Sequence, residues 1–300
     1  MPAKDLERHS LTHPDFEELL AVLDLNRVDD ELFIGAHPSK NPVRTFGGQM
    51  IAQAFVAGGR TLEHKLSPSA LNAHFIAGGD PEKDLEFHVV RLRDERRFAN
   101  RRVDVMQDGN LLTTVMLSYM NAGRGLEHSV PAPEVPHPDT LPKIDELLKG
   151  YEKTVPLFVE ALRPIEWRYT NDPAWVMRDK GGKLDHNRVW LKTEGPMPDD
   201  PVLHGAALVY SSDTTVLDSI ITTHGLSWGF DRIFAVTMNH SVWFHRPIKF
   251  DEWVLYSTTS PVAAESRGLG TGHFFDASGQ LLATVVQEGI VKYFPGAAKP

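Results

Sequence analysis

Cysteine is absent from the 300 residues, which excludes disulfides, thiolate metal sites and a cysteine nucleophile, and leaves any chemistry to oxygen and nitrogen groups. Basic charge is in deficit as well: 31 Lys and Arg against 40 Asp and Glu give a formal net charge of -9. A nucleic-acid binder, which neutralises phosphates with a basic face, is therefore not expected. No apolar run approaches the roughly 20 residues that span a bilayer. The opening Met-Pro-Ala-Lys-Asp-Leu-Glu mixes charges without an apolar stretch, so no secretory signal is expected and the cytoplasm is the expected compartment. What is present, 41% hydrophobic and 24% charged residues, suits a soluble globular chain with room for one large domain or two ordinary ones.

Six arginines nevertheless crowd one segment: Arg91, Arg93, Arg96, Arg97, Arg101 and Arg102. Two readings stay open. They are forks for the phosphates of a small anionic ligand, or they are solvated strand residues balanced by Asp94, Glu95 and Asp104.

Periodicity predicts a helix over Phe16–Leu25, a short strand at Leu32–Ile34, and a helix from Phe46 to Ala57 that is apolar almost all round and ends at Gly58-Gly59. Four strands rich in β-branched and aromatic residues follow, Leu71–Ala77, Leu85–Arg93, Phe98–Met106 and Leu111–Tyr119, the last two joined by an Asp-Gly hairpin. The plan then repeats. Val202–Ile221 reads as a strand-to-helix stretch, followed by strands at Phe234–Phe244, Glu252–Ser260, Arg267–Phe275 and Leu281–Tyr293. Asp108–Val115 can be laid on Ser278–Val285, which places Arg97 on Arg267 and points to an internal duplication. Between the halves lies a proline-rich segment, 122–164, with a helix-like stretch from Ile144 to Leu162. The expected architecture is α+β, with units at 1–121 and 165–300 separated by this linker, each an antiparallel sheet wrapped around one long helix.

Several segments resemble the acyl-CoA thioesterase II family over nearly the whole chain. They are Phe46-Gly47-Gly48-Gln49, Arg93-Asp94 followed by Phe98–Val103, Ser212-Asp213, the run from Asn239 to Pro247 containing Trp243-Phe244-His245-Arg246-Pro247, and Gln287-Glu288-Gly289. The resemblance implies a double hotdog fold and hydrolysis of fatty acyl-CoA to free fatty acid and CoA, without cofactor or metal. It also implies that an Asp, a Thr and a Gln hold the attacking water, and these fall on Asp213, Thr237 and Gln287. A carboxylate suits a general base, while a hydroxyl and an amide orient the water without reacting. Gly47, Gly48, Gln49 and Arg246 are the expected substrate contacts. The chain departs from the family pattern at Asn72, Ala77, Glu95 and Arg97. Curved antiparallel sheets with free edges are commonly completed by a partner, so a homo-oligomer is expected.

Each site residue has a plainer reading from its surroundings alone. Asp213 suits a helix N-cap, Thr237 an ordinary strand position, Gln287 an outward polar residue, Gly47-Gly48 close helix packing, and His240 and His245 structural roles. Three other functions compete. Gly225-Leu226-Ser227-Trp228-Gly229 has the form of a serine nucleophile elbow, which requires a strand before the serine and a helix after it. Asp199–His204 loosely resembles the motif of hotdog enoyl-CoA hydratases, and a duplicated hotdog can also bind acyl-CoA without turning it over.

Overall fold

The structure, a computed structural model, describes residues 16–38, 44–155 and 164–296. The strands of the first half are β1 (Asn26–Arg27), β2 (Leu32–Gly35), β3 (Ser67–Phe75), β4 (Leu85–Asp94), β5 (Phe98–Gln107) and β6 (Asn110–Met120). Those of the second are β7 (Ile165–Tyr169), β8 (His186–Thr193), β9 (Ile233–Phe244), β10 (Val254–Ala264), β11 (Arg267–Asp276) and β12 (Leu281–Tyr293). All are antiparallel, in the order β1-β2-β4-β5-β6-β3-β9-β12-β11-β10-β8-β7. Read from either end, the order obeys the same rule, and the halves meet where β3 pairs with β9, Asn72 opposite Ser241. Alternation along the strands supplies the inward faces: in β5, Ala99, Arg101, Val103 and Val105 are buried.

Among the described residues, the strands are accompanied by the α-helices α1 (Phe16–Leu23), α2 (Gly47–Gly59), α3 (Ile144–Leu148), α4 (Ala174–Asp179), α5 (Pro201–Ser212) and α6 (Asp218–Thr223). In α2 every residue from Gly48 to Gly58 is buried, as its all-round apolar sequence requires. Helix α5 is buried in the same way from His204 to Ser212. The two helices pack on each other, and both belong to one core shared with the inner faces of the strands.

The duplication extends to irregularities. Bulges leave Leu112 in β6 and Leu282 in β12 unpaired, and likewise Ser69 in β3 and Met238 in β9. Register also corrects the repeat alignment. Val105 opposes Thr113 in the first half but Phe274 opposes Ala283 in the second, so the second hairpin is one residue longer. Arg267 therefore corresponds to Phe98, and Arg97 has no arginine counterpart.

Three further expectations change. No strand forms within Val202–Ile221; Asp200 accepts the Val202 N–H as an N-cap and the stretch is helical from Pro201. The helix expected over Ile144–Leu162 stops at Leu148, because Lys149 leaves helical geometry at ψ 122° and Gly150 follows at φ 88°. Its final part, 156–162, lies outside the described residues. Finally, β7, β8 and α4 occupy a region in which no element was expected. Much of the intervening segment is a strap. Trp190 Nε1 donates to Pro136 O at 3.0 Å and Trp175 Nε1 to Leu147 O at 3.0 Å, while Ala132, Val135 and Leu141 cover Trp190, Leu255 and Phe275.

Candidate active site

Helix α5 ends in a run of hydroxyl residues, whose side chains compete with the backbone for hydrogen bonds. Ser211 Oγ donates to Ala207 O at 2.8 Å and Thr214 Oγ1 to Ser211 O at 2.6 Å. Asp213 is the C-cap, not an N-cap, at φ -87° and ψ -2°. This places its carboxylate at the opposite pole of a second helix, the N-terminus of α2. A Cβ added to Gly47 would lie 2.6 Å from Asp213 Oδ2, and one added to Gly48 would lie 2.5 Å from Tyr210 O. The packing reading of the glycine pair is met at Gly48, which permits close helix packing, while Gly47 leaves room for the carboxylate.

The bulge at Met238 re-aims β9. It turns Thr237 onto the inner face, on the same side as His240, whose partner across the ladder is Gln287. Gln287 Nε2 donates to Thr237 Oγ1 at 2.8 Å, and Thr237 Oγ1 stands 3.4 Å from Asp213 Oδ1. Gln287 is fully buried, whereas Thr237 and Asp213 keep part of their surface open. Burial pushes the Asp213 carboxyl up to about 6, against donation from Gln287, the Gly48 N–H and Thr237, which favours the anion.

Sequence alone offers His240 only a structural role. Its ring is fully buried, with Nδ1 2.5 Å from Gln287 Oε1 and Nε2 2.8 Å from Ser212 Oγ. Burial pushes its pKa down to about 4, so the ring is neutral. The only available signal was its place directly opposite Gln287, which required knowing that β9 pairs with β12 and in which register.

Other expected contacts fall elsewhere. Gln49 is buried, and its Nε2 donates to Gln53 Oε1 at 3.2 Å, which ties α2 to the Ala36 segment. Arg246 lies nine residues beyond Thr237 along β9 and its exit, roughly 30 Å of extended chain, and sits 3.9 Å from Glu127. The structure does not bring it to Asp213. Of the arginine cluster, Arg91 pairs with Glu31 and Glu63, Arg93 with Glu95, and Arg102 with Asp104. Arg101 instead is wholly buried and clamps Thr61 and Asp94. These residues lie toward the end of β5 where Phe98 opposes Met120, away from the Phe75 end that meets Gly47.

The competing motifs are structural. Ser227 is fully buried, follows a helix and not a strand, and donates to Trp228 O at 3.0 Å. Asp200 caps α5, and His204 Nδ1 accepts the Phe250 N–H at 3.0 Å. Exposed His245 contacts Thr284 Oγ1 at 2.8 Å. Among the described residues no cluster of three His, Asp or Glu side chains is placed to hold a metal ion, and no helix is long and apolar enough to cross a membrane.

The model of the acyl-CoA thioesterase family matches residues 158–290, and that of the acyl-CoA thioesterase N-terminal domain matches 37–120. Acyl-coenzyme A thioesterase 8 of Homo sapiens is 30% identical over 287 residues, covering 91% of this chain and 88% of that protein. Acyl-CoA thioesterase 2 of Haemophilus influenzae is 30% identical over 282 residues, covering 92% and 97%. Among solved structures, an acyl-CoA thioesterase II from Mycobacterium marinum is similar at TM-score 0.75 and 30% identity, covering 94% of this chain and 99% of that one. A hot dog fold protein from Alicyclobacillus acidocaldarius, 21% identical, superposes at TM-score 0.73 over 91% of this chain and 97% of that one and shares the fold.

Proposed function

The chain belongs to the acyl-CoA thioesterase family and is a double-hotdog thioester hydrolase acting on acyl-CoA, and on that premise we propose that its attacking water is held by Asp213, Thr237 and Gln287. The observation that carries this reading is convergence. Two polar side chains, Thr237 from β9 and Gln287 from β12, converge on one partly open carboxylate at the end of α5 whose pKa of about 6 suits a base. In this reading Asp213 takes a proton from water as the oxygen attacks the thioester carbonyl. Thr237 and Gln287 orient the water, and the Gly47 N–H at the α2 N-terminus faces the oxyanion. Collapse breaks the C–S bond and releases CoA as a thiolate, whose unperturbed pKa of about 8.5 spares the site a strong general acid. The proton on Asp213 then returns to solvent and restores the base.

Duplication supports a single site per chain. Register places Pro68, Leu71 and Leu117 where the second half has Thr237, His240 and Gln287, so the first half has no equivalent polar set. A small cavity lined by Glu18, Leu19, Val22, Pro38, Gln49, Pro164 and Tyr210 lies beside the α2–α5 contact. Gly47 and Gly48 remain in the proposed contact set; Gln49 enters only as a wall of that cavity, and Arg246 does not enter. The unit boundaries at 1–121, 122–164 and 165–300 belong to the same reading, supported by the mirrored strand order. So does a homo-oligomer, supported by exposed Met116 and Trp243 near the β3–β9 join. Light scattering at micromolar concentration should exceed the 33.5 kDa chain mass; the monomer mass would sink that part. The central test is Asp213→Asn, which keeps the shape but cannot accept the proton. Turnover should fall about 100-fold to 10,000-fold with acyl-CoA binding retained, and a variant keeping a third of wild-type kcat would overturn the general-base role.

A further inference from the structure

We propose that His240, backed by Ser212, is a positioning residue that decides which end of the Gln287 amide faces Thr237, and thereby sets the direction of a donor chain ending on Asp213. The proposal rests on the Asp213, Thr237 and Gln287 reading above.

Proton counting carries the argument. A neutral imidazole has one N–H and one bare nitrogen, and both nitrogens of His240 are engaged, Nδ1 by Gln287 Oε1 at 2.5 Å and Nε2 by Ser212 Oγ at 2.8 Å. The ring is fully buried and neutral, its pKa near 4. Ser212 Oγ also lies 2.7 Å from Val209 O, and its single proton must choose between the two. Only two arrangements satisfy every group. In the first, Nδ1–H donates to Gln287 Oε1 and Ser212 donates to Nε2. The Gln287 N–H donors then point at Thr237 and the carboxylate, leaving the Thr237 hydroxyl free to donate to Asp213. Every donor in the sequence Ser212, His240, Gln287, Thr237 points toward the charge.

In the second, Nε2–H donates to Ser212, Ser212 to Val209 O, and the Gln287 amide is flipped to donate to Nδ1. Thr237 must then donate to Gln287 Oε1, so the carboxylate loses its Gln287 and Thr237 donors and keeps the Gly48 N–H. The structure sets Gln287 Nε2, and not Oε1, 2.8 Å from Thr237 Oγ1, the amide orientation of the first arrangement. Ionised Asp213 favours it too, since charge-assisted hydrogen bonds are the stronger ones. Direct attack by Ser212 on substrate is excluded by its complete burial.

The test has two arms. In 15N-imidazole-labelled enzyme at pH 8, with the His240 signals assigned by their loss in His240→Asn, the ring should be the neutral Nδ1–H tautomer. A neutral Nε2–H tautomer or a cationic ring would overturn the proposal, and this arm needs no altered protein to fold. In turnover, His240→Leu should lower kcat about 10-fold to 100-fold, as loss of an orienting partner does, with KM changed less than about threefold. His240→Asn, whose amide N–H can replace Nδ1–H, should recover a third or more of kcat, which a merely space-filling role would not predict. Adding His240→Leu to Gln287→Ala should cost almost nothing further. Wild-type kcat in His240→Leu alongside an impaired Gln287→Ala would overturn the His240 role alone. A silent Gln287→Ala would instead bring down the underlying three-residue reading.

Discussion

A buried carboxylate held by three donors is pulled in two directions, and at Asp213 burial wins: its pKa rises from 3.8 to about 6 despite Gln287, Gly48 and Thr237. A base must be ionised to act, so kcat/KM should fall on the acid side with a midpoint near pH 6. Thr237→Ala removes a donor to the anion and should move that midpoint upward; an unmoved or lowered midpoint in a pH–rate profile would contradict the assignment. The same shift has a consequence for stability. Because the folded pKa is the higher one, the native state binds the proton more tightly. The stability this confers is fully present below about pH 4 and is lost as pH rises through about 6. Above that, the charge opposes folding by at most about 3 kcal/mol, less where solvent reaches the open edge. Asp213→Asn should therefore raise Tm at pH 8 and not at pH 4, in thermal scans of the purified proteins. With Asp213 as the proposed base, function and stability compete at this residue.

The meeting of α2 with α5 places two adjacent glycines under different constraints. At Gly47 the position a Cβ would take has a side-chain oxygen as its nearest neighbour, Asp213 Oδ2 at 2.6 Å; at Gly48 it meets the Phe46 ring and also backbone, Tyr210 O at 2.5 Å. Alanine is favoured over glycine within a helix by about 1 kcal/mol, so Gly47→Ala should leave Tm near or above wild type while displacing the carboxylate and lowering kcat at least about 10-fold. Gly48→Ala must push the helices apart and should lower stability by about 1–3 kcal/mol. Denaturant melts beside kinetics would separate the two, and a Gly47→Ala enzyme of wild-type kcat would disprove the contact with the base. The β9 bulge acts at this scale as well, because if Met238 paired regularly instead of bulging, strict alternation from His240 would turn Thr237 to the outer face.

At the scale of the molecule, the proposed site is shared: α2 comes from the first half, and Asp213, Thr237 and Gln287 from the second. What joins the halves is the β3–β9 ladder and the α2–α5 contact within one core, not the exposed segment 121–131. A single tryptic cut at Arg124 should therefore leave two fragments that co-elute on gel filtration and keep wild-type kcat. Separation of the fragments, or loss of turnover without separation, would show that the strap itself holds the halves together or shapes the site.

Much of this is written locally. Helix α2 is legible because its apolar residues run all round, and β4, β5, β6, β11 and β12 because they alternate and are punctuated by Asp108-Gly109 and Gly279, all three at positive φ. The family is legible in motifs such as Ser212-Asp213, Asn239–Pro247 and Gln287-Glu288-Gly289, the first and last of which contain two of the residues proposed here as the site. Other features depend on partners distant in sequence. The inward turn of Thr237 needs the bulge, and the bulge is defined only by pairing with β12. The buried clamp of Arg101 looks from its neighbours like one more solvated arginine. Asp213 caps the C-terminus of one helix, and it meets the start of another 166 positions back in the chain at Gly47, a contact no local pattern shows. His240 became part of the network by standing opposite Gln287. Composition and periodicity determine which segments become strand or helix, because those preferences act over a few residues. Register and helix contact determine which polar groups share a buried point, because those are set by long-range packing that no local pattern encodes.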